Sequence, residues 1–126
     1  MKKIIALILL TCLLLTVAAC SKEEPVLVDG KANITVVVVH ADGTEKEFKY
    51  TTNEEYLGAF LKEEGLIEGN DGPYGLEITK VDGEKAVYAE DQAYWAIYEG
   101  DKYANQGIDE TPVIDGRVYK LVYERG

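Results

Sequence analysis

The spacing of apolar residues changes repeatedly along this chain, and each change marks a predicted element. Behind Lys2 and Lys3 runs an almost unbroken apolar stretch, Ile4 to Thr16, which ends in the small residues Val17-Ala18-Ala19 and then Cys20. Ser21 to Lys31 is polar, carries Pro25 and offers only Val26-Leu27-Val28 for burial, the composition of a tether. From Asn33 the pattern becomes that of a strand. Ile34-Thr35-Val36-Val37-Val38-Val39-His40 is β-branched on both faces, which predicts a central strand covered on both sides.

Asp42-Gly43 then predicts a hairpin turn with both residues at positive φ, followed by a second strand in which Phe48 and Tyr50 alternate with polar neighbours. Thr52-Asn53-Glu54-Glu55 has the composition of a helix start. Leu57, Phe60 and Leu61 share one helical face, and Gly65-Leu66 is a left-handed stop with its hydrophobic contact. Glu68 to Pro73 reads as a loop, and Leu76 and Ile78 mark a half-buried third strand that turns at Asp82-Gly83. A brief pairing at Val87-Tyr88, the aromatic strand Ala93 to Tyr98, a reversal at Glu99-Gly100-Asp101 and a closing strand Val118 to Tyr123 complete the pattern. The fold class expected is α+β: a mixed or antiparallel sheet with one packed helix.

The N-terminal run is too short for a membrane span, which needs about 20 apolar residues, and its charged start and small-residue end are those of a secretory signal. Val17-Ala18-Ala19-Cys20 resembles the lipobox of bacterial lipoproteins, which implies that Cys20 is acylated and becomes the first mature residue. The organisation expected is a signal peptide over residues 1–19, a lipidated tether over 20–32 and one domain over 33–126, held on the extracytoplasmic face of the cell membrane. With Cys12 inside the discarded run and Cys20 alkylated, no thiol remains for a disulfide. The formal charge of −10 disfavours nucleic acid as a partner and becomes more negative once Lys2 and Lys3 are lost.

Much chemistry is excluded by residue type. Ser21 is the only serine, no free thiol survives and His40 is the sole histidine, so neither a Ser-His nor a Cys-His pair can be assembled. One histidine also cannot supply a zinc site, and His40 reads as the end of a strand. No P-loop, no G-x-G-x-x-G after a strand and no H-E-x-x-H motif occurs. Glu54-Glu55, Glu63-Glu64 and Glu90-Asp91 read as solvated charges rather than catalytic pairs. The Glu68-Gly69-Asn70-Asp71-Gly72 segment brings three oxygen donors into a glycine-rich loop, a calcium alternative that does not fit the EF-hand pattern. The expectation is a protein without enzymatic activity.

Nine tyrosines and one tryptophan in so small a chain are the stronger signal, because their large, rigid and amphipathic side chains are favoured where a protein meets a ligand. Tyr94, Ala96 and Tyr98 point to one side of the aromatic strand and Trp95 with Ile97 to the other, while Tyr119, Leu121 and Tyr123 share a face of the last strand. One of these sets must fill the interior. Tyr74 and Tyr103, beside predicted turns, are the better candidates for exposure.

At Tyr74-Gly75-Leu76-Glu77-Ile78, Ala93 to Gly100, Gln106-Gly107-Ile108 and Asp115-Gly116-Arg117-Val118-Tyr119, order and spacing resemble the C-terminal domain of transcobalamin and intrinsic factor. The resemblance runs from about Ile34 to Glu124. It implies a β-grasp-like fold and a loop after the tyrosine-tryptophan strand that caps a corrin ring. The matching segment is Lys102 to Gln106, with Tyr103, Ala104, Asn105 and Gln106 as contact candidates and Trp95 packing beneath them. Together with Tyr74 these form the expected ligand-binding set, and cobalamin or a related corrinoid is the ligand the resemblance implies. A surface protein-protein adaptor is the competing expectation, and a partner protein could also supply the opposite wall of the site.

Overall fold

A computed structural model describes residues 23–126. Cys20 and the expected signal peptide lie outside the described residues. Among the described residues no helix is long and apolar enough to cross a membrane.

The elements are β1 (Ala32–Val39), β2 (Glu45–Thr52), α1 (Leu57–Glu63), β3 (Ile67–Gly72), β4 (Gly75–Val81), β5 (Glu84–Lys85), α2 (Tyr88–Asp91), β6 (Ala93–Glu99), β7 (Lys102–Tyr103), a 3-10 turn (Ile108–Glu110) and β8 (Val118–Arg125). They form a five-stranded mixed sheet in the order β2-β1-β8-β6-β7 and a three-stranded antiparallel sheet in the order β3-β4-β5. Among the described strands only β1 and β8 pair in parallel; Val26 makes a further isolated parallel bridge to Ile114. That pairing brings the two ends of the described chain together at the centre of the large sheet.

One core joins both sheets. Ile34, Val36 and Val38 of β1, Tyr119 and Leu121 of β8, and Trp95 of β6 meet Leu57 and Leu61 of α1 and Leu76 and Val81 of β4. The expected inward sets are therefore Trp95 with Ile97 and Tyr119 with Leu121. Strand β1 is central, yet it is buried on one face only: Val37 and Val39 lie half-exposed on the far side of the sheet. That open side also carries Val118, Lys120 and Val122 of β8 and Tyr94 and Tyr98 of β6, and no element of the described residues covers it.

Helix α1 begins at Leu57, later than Thr52-Glu55 predicts, and its N-cap residue Tyr56 makes no side-chain cap. The cause is tertiary. The Leu57 N–H donates to the Thr111 carbonyl and Glu55 accepts from the Val113 N–H, so Glu55 and Tyr56 stay outside the helix, with Tyr56 extended against Pro112. Thr52 Oγ1 caps only the Glu54 N–H at 3.0 Å. The stop matches expectation: Gly65 is left-handed at φ +77, and Leu66 donates back to the Leu61 carbonyl.

Three further expectations change. Glu68 to Pro73 is not a loop, because Ile67–Gly72 forms β3 against β4, with a register shift at Glu68/Gly69. Gly69 lies so close to the Glu77 carbonyl that no Cβ would fit, which explains a glycine inside the strand. The pairing expected at Val87-Tyr88 falls instead at Glu84–Lys85, and Tyr88 opens the short helix α2. At the first hairpin only Gly43 has positive φ, whereas Asp82 and Gly83 both do, so the second turn is the one with two left-handed residues. Upstream, Val26 donates to the Val113 carbonyl and accepts from the Asp115 N–H, so this part of the N-terminal segment is docked on the domain.

Tyr119 holds the turn before β8 from inside. Its hydroxyl is fully buried, donates to the Pro112 carbonyl at 2.6 Å and accepts from the Ile114 N–H at 3.0 Å. Burial pushes its pKa up to about 12. Tyr119→Phe strands both backbone groups and is expected to destabilise the domain by about 1–3 kcal/mol, read as a lower urea midpoint at unchanged slope.

Candidate functional site

Two segments far apart in sequence meet at one end of the molecule. The first is the β3–β4 tip, Gly72-Pro73-Tyr74-Gly75; the second runs from Asn105 through the 3-10 turn to Pro112. The second segment is shaped by short-range bonds. Gly107 precedes the turn in an extended conformation, its carbonyl accepts from Glu110 N–H and from the buried Thr111 hydroxyl, each at 3.0 Å, and Ile108 is fully buried beneath.

Asp109 ties the two segments together. Its Oδ2 accepts the Leu76 N–H at 2.8 Å, just behind the Tyr74 tip. Helix α1 packs close to the same residue: a Cβ at Gly58 would collide with the Asp109 carboxylate and come within 3.0 Å of its Cα. Glycine at position 58 is what allows that approach.

Between the segments lies a cleft of about 930 Å³, lined by Tyr74, Asn105, Gln106 and Gly107 with Glu23, Glu99 and Glu110 and the rings of Pro73 and Pro112. That volume lies in the upper part of the range for small-molecule sites. Tyr74 is 95% exposed at its rim, an unusual position for a large aromatic ring with nothing packed on it. Arg117 bridges two of the carboxylates, 2.7 Å from Glu23 and 3.1 Å from Glu99. Glu110 makes no ion pair among the described residues, so the cleft keeps a negative character.

The five expected contact residues thus divide. Tyr74, Asn105 and Gln106 share the cleft. Ala104 is buried, 7% exposed, and its N–H donates to the Ile97 carbonyl, so its side chain packs inward. Tyr103 sits in β7 and turns its ring onto the open side of the large sheet, edge-on to Tyr98 at 5.4 Å. Tyr98 in turn donates to Glu124, and that hydrogen bond raises its pKa to about 12. Trp95 is a packing residue, though not under this loop: its Nε1 donates to the Glu84 carbonyl at 3.1 Å, toward the opposite end of β6.

Glu23, Glu99 and Glu110 are absent from the expected set. A signal existed for Glu99, since it continues the inward register of Ala93, Trp95 and Ile97 and so places a charge at a core position. Nothing local marks Glu23 or Glu110. The calcium alternative does not form as a loop, because Glu68, Asn70 and Asp71 are strand residues of β3. Among the described residues no group of three or more histidine, cysteine, aspartate or glutamate side chains is arranged to hold a metal ion.

The chain is 42% identical to a Ruminococcus gnavus protein for which metal binding has been suggested; the likeness covers 75% of this chain and 98% of that one, with a TM-score of 0.72. It also superposes on haptocorrin in complex with cobinamide at a TM-score of 0.61 and 16% identity, over 75% of this chain and 25% of haptocorrin. The second likeness is one of fold alone, and it makes the fold transcobalamin-like. No protein-family model and no curated protein matches the chain.

Removal of the Asp109 carboxylate tests how the cleft is held. Asp109→Ala is expected to cost about 1–3 kcal/mol of stability. Amide exchange at Leu76 should accelerate more than at the β1–β8 pair.

Proposed function

Because the chain belongs to the family of the Ruminococcus gnavus protein, we propose that it is a non-catalytic binding module whose cleft takes a corrinoid, with Cys20 acylated to hold it at the extracytoplasmic face of the membrane. The observation that carries this reading is Tyr74: a ring left bare at the mouth of a cleft whose other wall presents the amides of Asn105 and Gln106. A flat apolar face and paired amides suit a planar macrocycle with amide side chains. A corrinoid carries its own cobalt. It therefore fits both the suggested metal binding of the relative and a chain whose described residues hold no cluster of donor side chains. The fold shared with cobinamide-bound haptocorrin supports the same ligand class.

We read the architecture as β-grasp-like, with β1–β2, α1 and the parallel β1–β8 pair as the grasp and the β3–β5 sheet inserted to build one cleft wall. Of the cleft carboxylates Glu23 and Glu99 are engaged by Arg117, and we read none of the lining side chains as a nucleophile or general base. Both ring nitrogens of His40 are taken by carboxylates far from the cleft, at 2.8 and 2.9 Å. An open cleft buries too little of a macrocycle for tight binding, so affinities in the micromolar range are expected for the protein alone. A partner protein completing the site would raise them.

A second reading, a surface adaptor, is favoured by the open side of the large sheet, where Tyr103 and Val118 are 57% and 41% exposed. Calorimetric titration with cobinamide and cobalamins separates the two. Tyr74→Ala and Gln106→Ala should each weaken corrinoid binding by about tenfold, while Tyr103→Ala leaves it unchanged. Absence of binding at millimolar corrinoid contradicts the ligand reading, and a loss confined to Tyr103→Ala moves the site to the open sheet. For the anchor, mass spectrometry should find the acyl mass on Cys20 with residues 1–19 removed, and Cys20→Ser should abolish both the acylation and the cleavage.

A further inference from the structure

His40 and Trp95, the sole histidine and sole tryptophan, are neighbours, with ring centroids 6.0 Å apart and planes at 87°. His40 directly follows β1, in the large sheet. Its two nitrogens reach across to the small one: Nδ1 lies 2.8 Å from Glu84 Oε1 and Nε2 lies 2.9 Å from Asp82 Oδ2, both at the β4–β5 turn. The Ala41 N–H also donates to Glu84 Oε1 at 3.0 Å. A neutral imidazole has one N–H and one lone pair, so it satisfies one of these carboxylates and repels the other. Only the imidazolium donates to both.

We propose that His40 is a proton-operated latch between the two sheets: protonated, it pins the β4–β5 turn to the end of β1 through both carboxylates, and deprotonated, it gives up one of them and loosens that turn, which Trp95 Nε1 and the Leu66 carbonyl still hold. The consequence reaches the cleft, because β4 runs from Gly75, next to Tyr74, through one bulge at Thr79 to Val81 beside the latch. One hairpin therefore has a proton site at one end and the cleft wall at the other. The coupling to ligand rests on the corrinoid reading; the latch does not.

The groups facing His40 come from every neighbouring element. Asp82 and Glu84 belong to the small sheet, Lys46 of β2 lies 3.0 Å from Asp82, and Asp42 and Arg125 line the same shallow hollow. Trp95 of β6 covers the ring edge-on. Burial disfavours the charged imidazole, but the hydrogen bonds to Asp82 and Glu84 and the charges of both outweigh it, raising the His40 pKa above 6.5. Burial likewise opposes ionised Asp82, and His40 and Lys46 more than offset it, holding the Asp82 pKa below 3.8. The His40 contribution is complete below pH 6.5 and is lost as pH rises through the raised value. The Asp82 contribution is present above pH 3.8 and is lost as pH falls through the depressed one. The latch is closed between them.

A protonated imidazole quenches an adjoining indole, so Trp95 emission of the full chain in detergent, followed from about pH 5 to 9, reads the latch directly. The expected result is a rise in emission with a midpoint above 6.5, absent in His40→Gln and shifted down in Glu84→Gln. Amide exchange in β4 and β5, corrected for its intrinsic pH dependence, should quicken across the same midpoint while β1–β8 exchange does not. A midpoint at or below 6.5, or β4–β5 protection that stays level through it, overturns the latch. If His40→Gln fails to fold, the wild-type midpoint and exchange profile decide alone. Corrinoid affinity that stays level across the midpoint, with both latch signatures present, removes only the coupling.

Discussion

The three-stranded sheet has no core of its own, and everything that positions the cleft follows from how it is fastened to the larger sheet. Leu76, Val81 and Ala86 enter the same apolar cluster as Trp95, Tyr119 and Leu121, so its inner face is lost if the large sheet is lost. Apolar contact is non-directional and does not set the position of a hairpin along its length. Directional bonds do that at both ends: Asp109 holds Leu76 near the tip, while Trp95 and His40 hold Glu84 and Asp82 at the far turn. Tyr74 stands at the mouth of a cleft because its hairpin is fixed twice.

The same arrangement explains why the cleft is open and not a closed pocket. One side is a hairpin tip and the other a single 3-10 turn with its flanks, and neither reaches over the opening. Preorganisation is nonetheless high, since Gly107, Ile108, Asp109 and Thr111 are each tied by hydrogen bonds or full burial. A rigid half-site binds weakly alone and gains affinity when a second surface arrives, without having to reorganise. Arg117 adds to that rigidity by linking Glu23, ahead of the domain, to Glu99 at the end of β6.

Much of the large sheet was legible in the sequence, because β1 is a continuous β-branched run, β6 and β8 are rich in aromatic and apolar residues and their turns contain glycine, although the run in β1 gave no sign that one of its faces is open. Leu57, Phe60, Leu61 and Gly65 likewise marked the helix and its end. The small sheet was half hidden. Residues 67–72 are polar and glycine-rich because β3 is an edge strand with a slipped register, so its sequence looks like a loop. The helix starts later than its sequence predicts because residues 111–113 bind the backbone of Glu55 and Leu57 and keep Tyr56 extended, an interaction across more than fifty positions that no local rule detects. In the cleft, Tyr74, Asn105 and Gln106 could be named in advance. Ala104 and Tyr103 could not be told apart from them, since strand alternation at the two-residue β7 decides which way each side chain faces.

On the proposed function, ligand meets this protein at the Tyr74 tip and the Asn105–Gly107 segment together. Amide chemical-shift mapping of the isotope-labelled protein on addition of cobinamide tests this most directly. Shifts are expected to cluster at Tyr74, Gly75, Asn105, Gln106 and Gly107 and to leave Tyr94, Tyr103 and Val118 in place. Shifts confined to the open side of the large sheet, or none at saturating cobinamide, contradict it.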